Sequence, residues 1–563
     1  MKKDRWEFSK YRSGEMINGI ERSAHRALLY STGMDKEDLK KPLIAVVNSF
    51  TEMVPGHIHL REIAEFVKQG IYQAGGVPRE FNTIAICDGL CQGHIGMSYP
   101  LASRDLIADS VELMVEAHRL DGMVMLPGCD KIVPGMIMAA ARLDIPAIVL
   151  PAGPMIAGNY KDIKDITLSS MRELIGRTQV GAMTEDELDA AETASLPTYG
   201  TCSMMGTANS MCCLAEVLGM ALPGSGTALA VSSQRRRLAK QSGRRIVQMI
   251  EENLTARKII NRRSLLNGIA ATMAMGASTN TVLHLMAIAN EAKAELTLDD
   301  FDRVSRQVPY ICSIKPSGDY PLSAFHESGG VQAVMKAVSA DLDLSCLTVS
   351  GKTVGENLEK TELVSNEVIY PRNNPKDPEG GIAVLYGNLA PDGAVVKKSG
   401  VKPSMHYFEG SARVFHSMED ASAAVSGDRI NKGEVIVIRY EGPKGGPGMR
   451  EMHMTTSLLV GRGMDESCAL ITDGRFSGST RGPCIGHISP EAAAGGPIAA
   501  IQDGDIITID IPGRKLTVQL SADEIAKRLE DVKHIVKPRT PALAKYAALV
   551  TSADKGAILK LPE

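Results

Sequence analysis

The sequence predicts an α/β protein: an N-terminal domain built on a parallel sheet, followed by a C-terminal β-barrel domain. Three observations carry this. At 563 residues the chain exceeds what one hydrophobic core usually organises, so two domains are expected. The first third alternates β-branched runs with stretches of helical spacing, as strands joined by crossover helices do. From about residue 380 the apolar runs become short and Gly-punctuated, as in a barrel or sandwich of many short strands.

The elements follow in order. "PLIAVVNSF" (42–50) and "FNTIAICDG" (81–89) read as strands, separated by "HLREIAEFVKQGIYQAGG" (59–76), whose apolar spacing is helical and which ends on Gly-Gly. "SRDLIADSVELMVEAHRLDG" (103–122) reads as a helix opening on a Ser cap. "MVMLPG" and "IPAIVLPAG" are strands bracketing the helical "IVPGMIMAAARLD". Residues 205–345 read mainly as helix. Composition changes over 350–380, where "YPRNNPKDPEGG" (370–381) is the natural linker, giving domains 1–370 and 371–563. "GIAVLYG", "GAVVKK", "GEVIVIRY", "SCALITDG", "GDIITIDIPG" and "KLTVQL" are the barrel strands.

Bulk properties exclude several classes. Apolar residues make up 44% and charged residues 23%, with a net charge of −4, which is neither a disordered composition nor a nucleic-acid footprint. The basic run "SSQRRRLAKQSGRR" (232–245) reads first as a solvated helix face or subunit contact, and second as an anion site. No apolar stretch approaches the roughly 20 residues needed to cross a bilayer. The first residues hold lysines without a following apolar core, so no signal peptide is expected and the cytoplasm is the expected compartment. Ten cysteines there point to thiols, catalysis or metal, not disulfides. Cys212, Cys213, Cys312 and Cys346 lie in apolar contexts and read as packed hydrophobes.

Open α/β sheets place their sites at the carboxyl ends of strands, and two strand ends here finish alike, in Cys87-Asp88 and Cys129-Asp130. Adjacent residues on a turn point in different directions. Each loop can therefore offer a thiolate to an iron–sulfur cluster and a carboxylate to Mg²⁺. Cys202, in "YGTCSMMGTANSM", is the third candidate thiol, and three thiolates leave one cluster iron open as a Lewis acid. Spacing alone leaves packed thiols an equal alternative, and shows no compact four-ligand set for structural zinc. Two loops in the second half are unusually rich in small residues. "RYEGPKGGPGMREMH" (439–453) carries Glu451, and "ITDGRFSGSTRGPCIGH" (471–487) carries Arg475, Ser477, Ser479, Thr480 and Arg481. They suit close backbone approach to a ligand, or tight barrel turns.

"CDG", "GCDKIVPGM", "GTCSMMGTANSM", "MGASTNTVLHL", "YEGPKGGPGMREM" and "TDGRFSGSTRG", in this order, resemble the dihydroxy-acid dehydratase and phosphogluconate dehydratase family of iron–sulfur hydro-lyases. The likeness runs from about residue 14 to 530. It implies a homodimer, with a tetramer as the next assembly, and an active site between the two domains. It also implies Cys129 and Cys202 as cluster ligands, Asp88, Asp130 and Glu451 as Mg²⁺ ligands, Lys131 as a carbamylated ligand and Ser477 as catalytic base. Arg475, Ser479 and Thr480 are the candidate substrate contacts. Members with a [2Fe–2S] cluster carry a cysteine in the first motif, where this chain has Gly56 in "SFTEMVPGHIHL". Cys87 is therefore assigned as the third ligand, and a [4Fe–4S] cluster is favoured. Cys91 is read as a packed thiol. Among substrates, "RYEGPKGGPGMREM" and "STNTVLHL" look most like dehydratases of valine and isoleucine synthesis, acting on 2,3-dihydroxyisovalerate. "CDGLCQG" and "PAGPM" keep a sugar-acid substrate such as gluconate or xylonate as the alternative, and a non-catalytic iron–sulfur protein stands last.

Overall fold

The computed structural model describes residues 3–179, 181–478, 480–532, 535, 537 and 539–560. Leu43–Asn48 (β1), Val77–Asn82 (β2), Gly122–Leu126 (β3) and Ala147–Val149 (β4) form a parallel sheet in the order β2-β1-β3-β4. β1, β3 and β4 are buried along their whole length, because helices cover both faces of such a sheet. The crossovers are Leu60–Gln73 (α1), Pro100–Ala117 (α2) and Ile132–Leu143 (α3). α2 begins three residues before the sequence suggests. Pro100 takes the first position, where its fixed φ and missing N–H cost nothing. The expected cap Ser103 lies inside the helix, its hydroxyl donating to the Pro100 carbonyl at 2.7 Å.

The middle of the first domain is helical, as expected, with Leu168–Gln179 (α4), Thr207–Val217 (α5), Ser233–Glu251 (α6) and Asn280–Glu291 (α7). The basic run lies in α6, which crosses α1 so closely that a Cβ on Gly70 or Gly243 would stand 2.1 Å from a carbonyl of the other helix. Arg235 on its buried face donates to the Pro151 carbonyl at 2.5 Å, and Arg236 pairs with Glu62 at 2.8 Å. The run is a packed helix with a charged outer face.

The second unit is a closed eight-stranded barrel. Its strands are Ala383–Gly387 (β5), Ala390–Val396 (β6), Tyr407–Phe415 (β7), Glu434–Ile438 (β8), Ala469–Thr472 (β9), Cys484–Ser489 (β10), Ile506–Asp510 (β11) and Lys515–Val518 (β12). They run in the order β8-β9-β10-β6-β5-β12-β11-β7 and close on β8. Alternation along the strands builds two cores. Val435, Val437 and Ile471 join one apolar cluster with Ile507, Ile509 and Leu516, while Ile436, Ile438 and Leu470 pack with His453–Gly461 (α8). β8, β9 and β10 are mutually parallel, so the Gly-rich loop after β8 and the Ser-rich loop after β9 leave from the same end. Among the described residues no helix is long and apolar enough to cross a membrane.

Candidate active site

Cys87-Asp88 follows β2, and Cys129-Asp130-Lys131 follows β3 and opens α3. The second loop is held by a residue the sequence did not single out. His57 accepts the Cys129 N–H on Nε2 at 2.9 Å and contacts the Ser49 carbonyl through Nδ1 at 2.8 Å. Burial pushes His57 down to about 4, so the ring is neutral, with Nδ1 protonated and Nε2 free to accept. Gly128 must be glycine, since a Cβ there would stand 2.7 Å from the His57 ring. The Cys87 and Cys129 thiols share a hydrogen bond that lowers the first and raises the second. Cys202, in the loop before α5, is pushed up to about 12 by burial and by the nearby charges of Asp130 and Cys87. Its carbonyl and that of Met204 are held by the Asn209 side chain. Cys87 and Cys129 thus adjoin at the carboxyl edge of the sheet, with Cys202 near enough for the Cys87 and Asp130 charges to act on it. Gly56 packs on Gly200 and Thr201, directly before Cys202, and brings no sulfur. Cys91, one turn beyond Cys87, is half-buried and pushed up to about 11 by burial. Cys212, Cys213, Cys312 and Cys346 lie in the apolar core.

Beside the thiols, Asp88, Asp130 and Glu451 bring one carboxylate oxygen each to within 4.8 Å of one another. Glu451 comes from the barrel's Gly-rich loop, so both units contribute. Burial and the Asp88 charge push Asp130 up to about 7. Burial acts the same way on Glu451, but Arg475 and Lys131 outweigh it and hold the carboxyl at about 2. Lys131 is buried with its Nζ 2.5 Å from Asp88 Oδ2 and 3.6 Å from Asp130 Oδ2. The other Asp88 oxygen is buried with no hydrogen-bond partner among the described residues. Three carboxylates crowded out of water with an acceptor oxygen left over suit a divalent cation. Arg475 is fully buried behind them: Nε donates to the Met449 carbonyl at 2.6 Å, and the terminal nitrogens reach Glu451 and Asp88. Its donors are directed at the carboxylates and the backbone.

Ser477 lies in the loop after β9. The Gln92 amide donates to Glu451 Oε2 at 2.9 Å and reaches Ser477 Oγ at 3.5 Å, which puts the hydroxyl next to the carboxylates. Asn280, at the start of α7, donates to Glu451 Oε1 at 3.0 Å and to the Phe476 carbonyl at 3.3 Å, tying the helical region to both barrel loops. A cavity of about 240 Å³ adjoins the site, lined by Ser169, Arg172, Glu173, His453, Thr480 and Arg481 among others. Arg172 is in hydrogen-bond contact with Gln92 and His453. Thr480 Oγ1 is buried with no hydrogen-bond partner among the described residues, as a group awaiting a ligand would be. Ser479 lies outside the described residues.

Two family models cover nearly all of the chain: the dihydroxy-acid/6-phosphogluconate dehydratase N-terminal model matches residues 41–357, and its C-terminal counterpart residues 367–557. The chain belongs to the dihydroxy-acid/6-phosphogluconate dehydratase family. Relatives named dihydroxy-acid dehydratase are similar over almost their whole length. That of Acetivibrio thermocellus is 53% identical over 98% of this chain and 100% of its own. That of Halothermothrix orenii is 52% identical over 97% and 100%. That of Methanothermobacter thermautotrophicus is 51% identical over 98% and 100%.

In this chain of the dehydratase family, four of the candidate ligand side chains stand out in sequence as two Cys-Asp pairs, Cys87-Asp88 and Cys129-Asp130. Those that hold them in place, His57, Gln92, Arg172, Asn280 and His453, do not. His57, Arg172 and Asn280 reach the site from elements tens of residues or more away, whereas Gln92 and His453 lie within four residues of Asp88 and Glu451, and no local spacing marks any of them.

Proposed function

We propose that this protein is a dihydroxy-acid dehydratase, a hydro-lyase that converts 2,3-dihydroxy acids to 2-keto acids. Its substrates on this reading are 2,3-dihydroxyisovalerate and its ethyl homologue, in valine and isoleucine synthesis. The observation that carries this reading is the convergence of three carboxylates from both units, with Ser477 linked to them through Gln92 and candidate thiols on the adjoining loops. An electron carrier needs the thiols but has no use for a carboxylate triad or the Ser-rich loop. The names of the near-full-length relatives favour dihydroxy acids over the sugar-acid alternative.

Cys87, Cys129 and Cys202 would hold an iron–sulfur cluster, [4Fe–4S] in preference to [2Fe–2S]. Asp88, Asp130 and Glu451 would hold Mg²⁺, with Lys131 joining them as a carbamate. When bound, the cluster and Mg²⁺ supply Lewis acids for the departing 3-hydroxyl and for acidification of the C2 proton. Ser477 Oγ removes that proton. Gln92, bridging Ser477 and Glu451, fixes the hydroxyl against the carboxylates. Arg475 orients Glu451 and Asp88 from behind. Thr480 Oγ1 supplies a free donor to the substrate. Loss of the C2 proton and of the 3-hydroxyl leaves an enol, which tautomerises to the 2-keto acid. Lys131 reacts with CO₂ only after its ammonium loses a proton, so the ion pair with Asp88 must give way to carbamate formation. Intact-protein mass spectrometry would read that CO₂ adduct directly.

We also assign a homodimer, the cytoplasm and a domain division at residue 370, a few residues past the gap between the two matched regions. The ten cysteines, all unpaired, suit a reducing compartment. Replacement of Ser477 by Ala is expected to abolish turnover while leaving cluster absorbance and iron content unchanged. Retained turnover would remove the serine from the chemistry, and loss of the cluster would make its role structural.

A further inference from the structure

Two consecutive lysines at the end of β6 are treated in opposite ways. Lys398 Nζ is neutralised by Asp377 at 2.8 Å and Glu379 at 3.0 Å. Lys397 is buried as deeply, 6% exposed, yet among the described residues its ammonium has no carboxylate within ion-pairing reach. The acceptor it meets there is the Gly478 carbonyl, at 2.7 Å. The neighbouring charge that acts on it is a cation, Arg481, and with burial this pushes the amine down to about 7. Burying an amine without a counter-ion is costly.

Gly478 is the residue after Ser477. Its backbone is confined from the other side as well, because a Cβ there would stand 3.0 Å from Gly206 Cα and from Ser278 Cβ. Beyond it, Thr480 N–H closes a turn on the Ser477 carbonyl at 3.1 Å, and Gly482 N–H donates to the Gly400 carbonyl at 2.9 Å. The segment 397–400 therefore braces the serine loop from the barrel side, while Gly206 and Ser278 brace it from the helical side. The side chain of that brace that reaches the serine loop is Lys397, through the Gly478 carbonyl.

We propose that Lys397 is a positioning residue for Ser477: by anchoring the Gly478 carbonyl it sets the serine hydroxyl in its proton-abstracting pose. This rests on the reading of Ser477 as the base. Buried charge spent on one backbone carbonyl next to the base is the arrangement expected of preorganised electrostatics, where a donor is held in place before charge develops.

The test uses holoenzyme and 2,3-dihydroxyisovalerate, protonated or deuterated at C2. Lys397→Met is expected to lower kcat by about 10²-fold, the scale on which one preorganised donor acts, with KM within a few-fold and iron content unchanged. Its C2-deuterium isotope effect on kcat should rise above that of the wild type, because proton removal becomes rate-limiting. Lys397→Arg, which keeps a charged donor, should recover part of the loss. Lys398→Met, which removes only the linker ion pairs, should lower the melting temperature without raising the isotope effect. In a Ser477→Ala background Lys397→Met should have no further effect. A Lys397→Met enzyme with wild-type kcat overturns the proposal, as does one with lowered kcat but an unchanged isotope effect. If Ser477→Ala itself retains turnover, the reading of the base fails first, and is recognised as a separate failure.

Discussion

Cys87 is the residue on which the proposed iron–sulfur assignment turns. It follows β2 as Cys129 follows β3, and the two thiols are hydrogen-bonded to each other, while Gly56 packs beside the Cys202 loop with no ligand atom to offer. Replacing Cys87 by Ala is expected to strip the iron and the visible absorbance while far-UV dichroism stays that of the wild type. Full retention of iron would pass the third ligand to another residue, Cys91 being one turn away. Cys87 and Cys129 stood out as candidates because each sits beside an aspartate, although the strand expected over 81–89 ends at Asn82, so Cys87 lies in the loop after it. Arg475 was legible as a site residue but not in its role. In sequence it is one cation in a polar loop, and only the fold shows its guanidinium committed to Met449, Glu451 and Asp88. His57 was not legible at all, since a lone histidine in a loop gains meaning only from the N–H of Cys129 brought to it over 72 positions.

Among the elements, the loops after β8, β9 and β10 are held together by buried carboxylates. Asp473 accepts the N–H groups of Tyr440, Glu441 and Ala492, and Glu491 accepts those of Lys444 and Gly445. Burial pushes Asp473 up to about 6 and Glu491 up to about 7. A carboxyl whose folded value is raised contributes stability that is fully present below its ordinary value and is lost as pH rises through the folded one. Here the window runs from about 4.5 to about 7 for Glu491. Glu491→Gln removes the ionisation, so its melting temperature relative to wild type is expected to rise between about pH 5 and about pH 8. A difference constant across that range would contradict the shift. The parallel sheet and the barrel were both legible as element types, from β-branched runs at characteristic spacing. The barrel's strand order was not, because closure of β7 on β8 and of β10 on β6 depends on register between segments far apart in sequence. The start of α2 was misread for a local reason: Ser103 resembles a cap, but Pro100 fits the first helical turn better.

At the scale of the molecule, α2 turns Leu106, 54% exposed, and Leu113, 70% exposed, to solvent along one face. The homodimer proposed above is the occupant we expect for this face, which would bury both side chains. Leu113→Asp should shift sedimentation toward the monomer, and an unchanged dimer would place the interface elsewhere. A dimer was expected only from family resemblance, since composition says nothing of which face is covered. The central claim is the dehydration itself, and it belongs to the whole enzyme because the carboxylates, thiols and serine come from both units. The measurement that tests it most directly is anaerobic 2-keto acid formation, with Mg²⁺ present, from 2,3-dihydroxyisovalerate beside gluconate, xylonate and phosphorylated acids. The account predicts a clear preference for 2,3-dihydroxyisovalerate. Preference for a sugar acid would contradict the substrate assignment, and silence on every acid from enzyme with an intact cluster would contradict the dehydratase reading as a whole.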